Sequence, residues 1–167
     1  MRVDVYLAFG SNLGDRISAI QAGIEFLEQK NVELVTLSGF YTSRSKYLTG
    51  QPEYMNCVGH FTTTTGPREL LDSCMEAEKA AGRKKRVRYG PRELDVDLLL
   101  FGQQSVLEVN LEIPHPGIPD RLFVLVPLAE VSSELIVPGM GPVNKLLEKA
   151  RDTLPEEEEP TILEGTA

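Results

Sequence analysis

Residues 3–27 read VDVYLAFGSNLGDRISAIQAGIEFL, and this stretch decides how the fold begins. Apolar side chains alternate from Val3 to Phe9, which predicts a strand with one buried face. The turn at residues 10–12 ends that strand. Asp15 can then cap a helix in which isoleucine and leucine recur every three or four residues. The stretch therefore predicts a strand, a tight turn and an amphipathic helix.

Three more strands and a second helix follow along the chain. β-forming residues predict strands at 32–41, 54–64 and 94–101. Pro67 suits the first turn of a helix that reaches Gly82. The order strand, helix, strand, strand, helix, strand predicts an α+β, ferredoxin-like fold, in which helices pack on one face of an antiparallel sheet. C-terminal elaborations come after it: a strand pair at 106–113 and two short helices, at 121–131 and 143–154.

Length and composition fit one domain. The chain has 167 residues and 18.5 kDa, with 17 basic and 25 acidic side chains and a net charge of −8. At roughly 100–200 residues per domain, residues 1–154 are expected to form a single domain. No apolar run approaches the roughly 18 residues that cross a bilayer, and the N-terminus shows no signal-peptide pattern, so the expected location is the cytoplasm. The two cysteines, Cys57 and Cys74, are expected to be reduced structural thiols.

Charge is unevenly distributed along the chain. Residues 155–167 contain five acids and no base, and they are predicted to form a disordered acidic tail. Residues 83–92 contain six bases and no acid. A local basic segment in an acidic protein indicates a small anionic ligand, whereas a nucleic-acid-binding protein is more often basic over a whole face. A merely solvated basic loop is the alternative.

Two carboxylates follow this basic segment. Asp95 and Asp97 lie two residues apart in a predicted strand, so both point to one face. Their neighbours are expected to point to the other face and into the core: Leu94, Val96, Leu98 and Leu100. Adjacent carboxylates repel each other unless a cation lies between them, and hard oxygen ligands select Mg²⁺. Carboxylates for Mg²⁺ beside arginines for phosphate indicate phosphoryl transfer; two solvated acids on an edge strand are the alternative.

Two further clusters combine aromatic and polar side chains. Tyr54 and Asn56 share one face of the third predicted strand, and a ring beside a planar amide suits a flat heterocycle with donors and acceptors on its edge. His115, Arg121 and Phe123 bring an imidazole, a guanidinium and a ring close together in sequence. For each cluster, a structural role is the alternative.

Together these clusters resemble the 6-hydroxymethyl-7,8-dihydropterin pyrophosphokinase family of folate biosynthesis. The resemblance covers roughly residues 4–140, and the motif Gly-Pro-Arg-x-x-Asp-x-Asp at residues 90–97 is highly specific. The other matching segments are, in chain order, Leu7 to Asn12, Gln51 to Asn56, Glu78 with Gly82-Arg83, Pro114 to Pro116, and Arg121 to Leu125.

The resemblance implies an ATP-dependent pyrophosphokinase that transfers the β,γ-pyrophosphoryl group of ATP to the hydroxymethyl oxygen of a reduced pterin and releases AMP. It implies two Mg²⁺ ions held by Asp95 and Asp97. Catalytic roles are implied for Arg83, Arg92, Asp95 and Asp97. ATP binding is implied for Glu78, Arg83, Lys85, Arg92, Leu98, His115 and Arg121. Pterin binding is implied for Ser43, Tyr54, Asn56, Asp95 and Phe123.

One loop departs from the family pattern. After Phe40-Tyr41 the family commonly shows Thr-x-Pro-x-Gly, whereas residues 43–47 of this chain read SRSKY. The proline would fix one backbone angle and the glycine would permit unusual ones, so the resemblance does not predict the conformation of this loop. In addition, Tyr89 replaces a usual tryptophan and Lys85 replaces an arginine.

Two other functional classes share this order of elements. RNA-recognition modules place aromatic residues on such a sheet, but the residues before 155 carry a net charge of only −3 and lack an RNP1-like run. A small-ligand regulatory domain would not explain the pair Asp95 and Asp97. The expected partners are therefore ATP and a reduced pterin, with no nucleic acid and no membrane, and the expected state is a monomer.

Overall fold

The main sheet has six antiparallel strands in the computed structural model, which describes residues 1–84 and 86–163. In chain order the described strands are β1 (Val3–Ser11), β2 (Val32–Leu37), β3 (Tyr41–Ser43), β4 (Tyr54–Thr63), β5 (Asp95–Phe101), β6 (Val106–Glu108), β7 (Leu111–Ile113), β8 (Ile136–Val137), β9 (Gly141–Pro142) and β10 (Thr161–Ile162). The main sheet runs β10-β3-β4-β1-β5, and β2 also pairs with β4. Two small sheets pair β6 with β7 and β8 with β9.

Helices cover both faces of the main sheet. In the described part of the chain they are α1 (Arg16–Glu28), α2 (Pro67–Ala80), α3 (Leu122–Ser132) and α4 (Val143–Thr153). Asp15 caps α1 as predicted, because its carboxylate accepts a hydrogen bond from the Ser18 N–H at 3.1 Å. The core on one face contains residues of α1 and α2, and the core on the other contains residues of α3 and α4. Among the described residues, the longest helix is α2 with 14 residues, and no helix has the length and hydropathy of a membrane span.

The α+β class and the antiparallel sheet are confirmed, and the elements follow the predicted order except that two strands, β2 and β3, replace the second predicted strand. The prediction that β1 has one buried face is wrong, because α3 and α4 bury its second face. Val5, Leu7 and Phe9 point to the side of α1 and α2, whereas Tyr6 and Ala8 point to the side of α3 and α4. Alternation within β1 was therefore predicted correctly, but the docking of the C-terminal helices was not.

The side-chain alternation of β5 changes at a bulge. Tyr6 is opposite Leu100, but the next residue, Leu7, is opposite Leu98, so Leu99 is an extra residue in the β5 strand. Leu99 and Leu100 consequently both lie in the core beside α3 and α4, whereas Leu98 lies in the core beside α1 and α2. The prediction that Leu100 shares a face with Leu98 is wrong for this reason.

The predicted strand at 32–41 is two strands separated by a short break. Ser38 holds the break against β4. Its backbone N–H donates to the Val58 carbonyl and its hydroxyl accepts from the Val58 N–H, both at 2.9 Å. Glu130 of α3 then accepts hydrogen bonds from the Gly39 N–H and the Tyr41 hydroxyl. A side chain from a distant helix therefore redirects the chain before β3 begins.

The C-terminal segment differs from the expected disordered tail. Its strand β10 pairs with β3, with Thr161 opposite Thr42 and Ile162 opposite Tyr41. Arg151 of α4 holds Glu159 at 2.6 Å. Residues 155–163 are thus ordered because β3 offers an unpaired edge and basic side chains meet the acids, while residues 164–167 lie outside the described residues.

The two cysteines are free and buried, as predicted. Cys57 lies in β4 and Cys74 in α2. Burial raises the pKa of both thiols well above its usual value, so neither is a reactive thiolate at neutral pH.

Candidate active site

The candidate site lies where β1 ends and its two neighbouring strands begin. Gly10 is opposite Asn56 of β4 on one side and Asp95 of β5 on the other. Adjacent strands are about 4.8 Å apart, so the backbones at Asn56 and Asp95 lie roughly 10 Å apart across the glycine. Because Gly10 has no side chain, the space between these two polar residues stays open, and the Gly10 backbone forms its floor.

A cavity of about 300 Å³ opens above this floor. Its walls include the β3–β4 loop (residues 44–53), the described part of the basic loop (residues 83–84 and 86–92) and the start of α3. Ten of the predicted site residues line it: Ser43, Tyr54, Asn56, Arg83, Arg92, Asp95, Asp97, His115, Arg121 and Phe123. Folding thus brings together acids, cations and aromatic rings that are far apart in sequence.

Asp95 and Asp97 both line the cavity, as their spacing in β5 predicts. Arg83 Nη1 donates to Asp95 Oδ1 at 2.8 Å, and Arg121 Nη1 lies 3.9 Å from Asp97 Oδ2. Burial and the neighbouring charge of Asp95 raise the pKa of Asp97 to about 7. Two carboxylates that line the same cavity from one face of β5 form a site that a bound cation would stabilise.

Glu78 contacts the site through Arg83. Its Oε2 accepts from Arg83 Nη1 at 2.6 Å and from the Val96 N–H at 2.8 Å. Burial raises the pKa of Glu78 to about 8, even though both of these donors favour the carboxylate. Glu78 is not among the described residues that line the cavity. The structure therefore shows Glu78 holding Arg83 and the start of β5, and direct contact with ATP stays a prediction.

A second part of the cavity wall combines an amide with aromatic rings. Asn56 is 5% exposed, and its Nδ2 donates to Ser43 Oγ at 2.6 Å. The Tyr54 hydroxyl donates to the Gly90 carbonyl at 3.2 Å, and Phe123 comes from the first turn of α3. Four of the five residues predicted to bind the pterin, Ser43, Tyr54, Asn56 and Phe123, therefore line this part of the cavity, and the bond to Ser43 sets the orientation of the Asn56 amide.

Arg121 connects the acidic and aromatic parts of the cavity. Its guanidinium carbon lies 5.9 Å from the centre of the Phe123 ring and 5.5 Å from the centre of the Tyr47 ring. Its Nε also donates to the Tyr47 hydroxyl at 3.2 Å. One arginine therefore reaches Asp97, the start of α3 and the β3–β4 loop.

His115 is a neutral polar group in the same wall. Its Nδ1 accepts a hydrogen bond from the Gly117 N–H at 2.9 Å. Burial and the nearby charge of Arg121 lower the pKa of His115 to about 4. At neutral pH the imidazole is therefore uncharged, with its proton on Nε2.

The remaining predicted ATP ligands have different positions. Arg92 lines the cavity and also donates to the carbonyls of its own loop, at 3.1 Å to Gly90 and 3.2 Å to Val87. Leu98 is 5% exposed and packs in the core beside α1 and α2. Its side chain cannot line the cavity, because Leu98 points to the opposite face of β5 from Asp97. Lys85 lies outside the described residues.

The prediction from sequence missed Asn12 and Gln51, which join the two loops to the sheet. Asn12 is 3% exposed; its Nδ2 donates to Gln51 Oε1 at 3.1 Å and its Oδ1 accepts from the Arg92 N–H at 2.9 Å. Gln51 Nε2 donates to the Tyr89 carbonyl at 2.7 Å. The sequence does show a polar residue, Asn12, at the end of a buried strand. Its partners could not be predicted, because Gln51 is 39 residues and Arg92 is 80 residues away in the chain.

Comparisons with known proteins agree with this geometry. The family model for 7,8-dihydro-6-hydroxymethylpterin-pyrophosphokinase (HPPK) matches residues 6–133. The chain belongs to this family. A 2-amino-4-hydroxy-6-hydroxymethyldihydropteridine pyrophosphokinase of Haemophilus influenzae is 36% identical, over 90% of this chain and 94% of its own. One of the same name from Aquifex aeolicus is 40% identical, over 80% of this chain and 83% of its own.

Solved HPPK-DHPS structures share the fold. A Plasmodium falciparum HPPK-DHPS chain has a TM-score of 0.74 and 12% identity, and the match covers 100% of this chain and 52% of that one. A second HPPK-DHPS, solved in complex with substrates, has a TM-score of 0.72 and 11% identity, over 98% of this chain and 49% of that one. The present chain thus spans about half the length of those chains, and at such identity the likeness shows the fold alone.

Asn12→Ala is expected to weaken this HPPK-family enzyme in both stability and turnover. The change removes the side-chain hydrogen bonds that join the end of β1 to both loops and leaves the Arg92 N–H without its partner, although the backbone bond from the Asn12 N–H to the Arg92 carbonyl remains. Loss of a buried partner costs about 1–3 kcal/mol of unfolding free energy. We expect turnover to fall at least about tenfold, since misplaced loops cost positioning. Denaturant unfolding and steady-state kinetics measure the two effects.

The exposed Asn144 on α4 offers a matched control for that variant. Asn144→Ala makes the same chemical change on the protein surface and should leave both quantities close to wild type. If Asn12→Ala behaved like this control, the loops would not depend on Asn12.

Proposed function

We propose that the protein transfers the pyrophosphoryl group of ATP to the hydroxymethyl group of 6-hydroxymethyl-7,8-dihydropterin, giving AMP and the pterin diphosphate. The observation that carries this proposal is one cavity with two carboxylates, five arginines and an aromatic–amide wall formed by Ser43, Tyr54, Asn56 and Phe123. The carboxylates and arginines can bind a metal–triphosphate, and the aromatic–amide wall beside them can bind a flat heterocycle. The family and the names of the relatives support the same reaction, which belongs to folate biosynthesis.

In this proposal the aromatic–amide wall binds the pterin. Tyr54 and Phe123 would pack against the faces of the ring, while Asn56 and Ser43 would hydrogen-bond its edge. An amide provides both donors and an acceptor, which matches the mixed edge of a pterin. The existing bond between Asn56 and Ser43 supports the assignment, because a preset orientation lowers the entropic cost of binding. Asp95, across Gly10 from Asn56, is proposed as the pterin contact nearest the reacting group.

The cations are proposed to bind the triphosphate. Arg83, Arg92 and Arg121 can each present a two-pronged guanidinium to phosphate oxygens. His115, neutral and protonated on Nε2, can donate a hydrogen bond to ATP without adding charge. Lys85 would add a cation in the same basic loop. Glu78 serves indirectly in this assignment, through its 2.6 Å bond to Arg83.

Asp95 and Asp97 have the chemistry that Mg²⁺ requires. Magnesium typically takes one or two carboxylates and completes its shell with water and substrate phosphates. The two side chains are 40% and 32% exposed within the cavity, so their oxygens are accessible to an ion. We propose that they hold two Mg²⁺ ions, which would neutralise charge on the phosphoryl oxygens.

The reaction then needs positioning, charge neutralisation and exclusion of water. The hydroxymethyl oxygen loses its proton and bonds to the β-phosphorus, while the bond from that phosphorus to the α–β bridging oxygen breaks and AMP departs. The arginines stabilise the charge that shifts onto the departing phosphate. Tyr47 and Tyr89, with ring centres 4.5 Å apart, join the two loops over the cavity and limit entry of water.

The identity of the nucleotide product tests the proposal. The protein is incubated with ATP, Mg²⁺ and 6-hydroxymethyl-7,8-dihydropterin, and the nucleotides are separated by chromatography. AMP should form in a one-to-one ratio with pterin diphosphate, and none should form without the pterin. Formation of ADP would indicate a different kinase, and the absence of turnover would favour a binding module.

A monomer in the cytoplasm completes the proposal. One chain already supplies the carboxylates, the arginines and the rings that the proposed reaction uses, so the proposal needs no residue from a second copy. Size-exclusion chromatography with light scattering checks this, since 18.5 kDa is expected for a monomer.

A further inference from the structure

Residues 155–163, which we call the acidic strap, lie against the elements that carry one wall of the cavity. The pairing of β10 with β3 covers Tyr41 and Thr42, the two residues before Ser43. The Leu163 N–H extends this contact by donating to the Phe40 carbonyl at 2.7 Å. The strap therefore gives β3, which has only three residues, a partner on each side. A strand paired on both sides is more firmly held than an exposed edge.

A half-buried ion pair connects the strap to the β3–β4 loop. Lys46 Nζ lies 3.3 Å from Glu158 Oε1, and the two side chains are only 17% and 27% exposed. The same ammonium group donates to the Asp120 carbonyl, next to Arg121. Lys46 therefore joins three segments: the β3–β4 loop, the residues before α3 and the strap. A partly desolvated pair of this kind is less screened by solvent than a surface pair.

The strap also encloses a second, smaller cavity beside the first. This cavity has a volume of about 140 Å³ and is lined on one side by Glu157 and Glu158. Ser43, Lys46 and Phe123 contribute to the walls of both cavities. The strap is thus one layer of residues away from the proposed pterin site.

Lys46 is followed directly by Tyr47, which lines the main cavity. Tyr47 accepts a hydrogen bond from Arg121 and packs against Tyr89 of the basic loop. Residues 44–51 contain no proline that would stiffen their backbone. The position of Tyr47 therefore depends on side-chain contacts, and the pair formed by Lys46 and Glu158 is the nearest contact that anchors this loop to the strap.

From these contacts we propose that Glu158 is a positioning residue for the pterin site. By holding Lys46, it keeps the β3–β4 loop closed against Arg121 and the basic loop, and the acidic strap thereby increases the affinity for the pterin. ATP is bound chiefly by cations of the basic loop and Arg121, so its affinity does not depend on the strap. This inference rests on the proposed function.

Glu158→Gln in the full chain tests the proposal. An ion pair of this exposure contributes up to roughly 1 kcal/mol, which corresponds to about a threefold to fivefold change in affinity. We expect the KM for the pterin to rise by about that factor, while kcat and the KM for ATP stay at wild-type values. A purely structural role would instead lower the melting temperature and leave the KM for the pterin unchanged, which would overturn the proposal.

A double-mutant cycle shows whether the effect passes through Lys46. Lys46→Met should raise the KM for the pterin at least as much as Glu158→Gln does. In the Lys46→Met background, Glu158→Gln should then have no further effect, because its partner is already absent. An equal effect of Glu158→Gln in both backgrounds would contradict the proposal.

Glu156→Gln is the matched control, because Glu156 is an exposed acid in the same strap. It loses the same charge and should leave the KM for the pterin unchanged. Binding of oxidised 6-hydroxymethylpterin, followed by its fluorescence, gives affinity without turnover. If the wild-type protein failed to bind this pterin, the proposed function would fail; if it bound and Glu158→Gln equalled Glu156→Gln, only the role of the strap would fail.

Discussion

Asp97→Asn is expected to abolish pyrophosphoryl transfer while much of the ATP affinity remains. Asparagine keeps the size of the side chain but removes one of the two charges that are proposed to hold Mg²⁺. Charge stabilisation by such metals typically contributes several kcal/mol to the transition state, so a loss of at least about a hundredfold in kcat follows. The arginines still neutralise the triphosphate, and isothermal titration with Mg·ATP should therefore detect binding.

Stability distinguishes a lost metal ligand from a damaged fold. In the absence of metal, Asp97 lies beside Asp95 and its charge is unfavourable, so Asp97→Asn should melt at or above the wild-type temperature. Asp72→Asn makes the same change on the exposed side of α2 and should leave kcat unaltered. More than about a tenth of the wild-type rate in Asp97→Asn would contradict the assignment of the metal ligand.

Gly10→Val should nearly eliminate pterin binding while ATP still binds. A Cβ atom at this position lies 3.3 Å from Asn56 Oδ1 and 3.5 Å from Tyr54 Cδ1. The two methyl groups of valine extend further, so they either fill the floor of the cavity or displace Asn56 and Tyr54. Overpacking of this kind costs about 1–3 kcal/mol, and we expect the KM for the pterin to rise by up to about a hundredfold.

The effect should follow the size of the side chain. Gly10→Ala adds only the Cβ atom, so a rise of a few-fold is expected. Gly66→Val is the matched control, because a Cβ atom there meets no other atom within 4 Å and the residue lies before α2, away from the cavity. Equal effects of Gly10→Val on the binding of pterin and ATP would show that the whole site had collapsed, and they would contradict a specific role for the floor.

Most of the secondary structure could be predicted because short-range chemistry specifies it. Asp15 caps α1 through a carboxylate that reaches the Ser18 N–H, three residues away. The alternation in β1 places Val5, Leu7 and Phe9 on one face in any fold that buries this strand. The errors arose where a distant residue intervened. Glu130 of α3 redirects the chain between β2 and β3, and no residue near position 39 in the sequence predicts that contact.

The site residues divide in the same way, into those that local spacing could predict and those that it could not. The spacing of Asp95 and Asp97, and that of Tyr54 and Asn56, indicated which side chains would share a face, since a strand has a period of two residues. The wider set of ATP and pterin residues depended on the resemblance to a family. The two kinds of prediction disagree at Leu98. The resemblance implies that it binds ATP, whereas the strand period places its side chain in the core, where the structure has it, on the face of β5 opposite the cavity.

The sequence by itself determined which chemical groups this protein can bring to a ligand: paired carboxylates, a run of cations and a ring beside an amide. It also determined the order of the strands and helices, except for the break between β2 and β3, because propensity, capping and periodicity act over a few residues. The tertiary structure alone decided how the loops close over the cavity and that the acidic strap pairs with β3. Asn12 meets Arg92 across 80 residues, and Glu158 meets Lys46 across 112. Such contacts form only after the sheet has brought the ends of distant strands together, so no local pattern in the sequence specifies them.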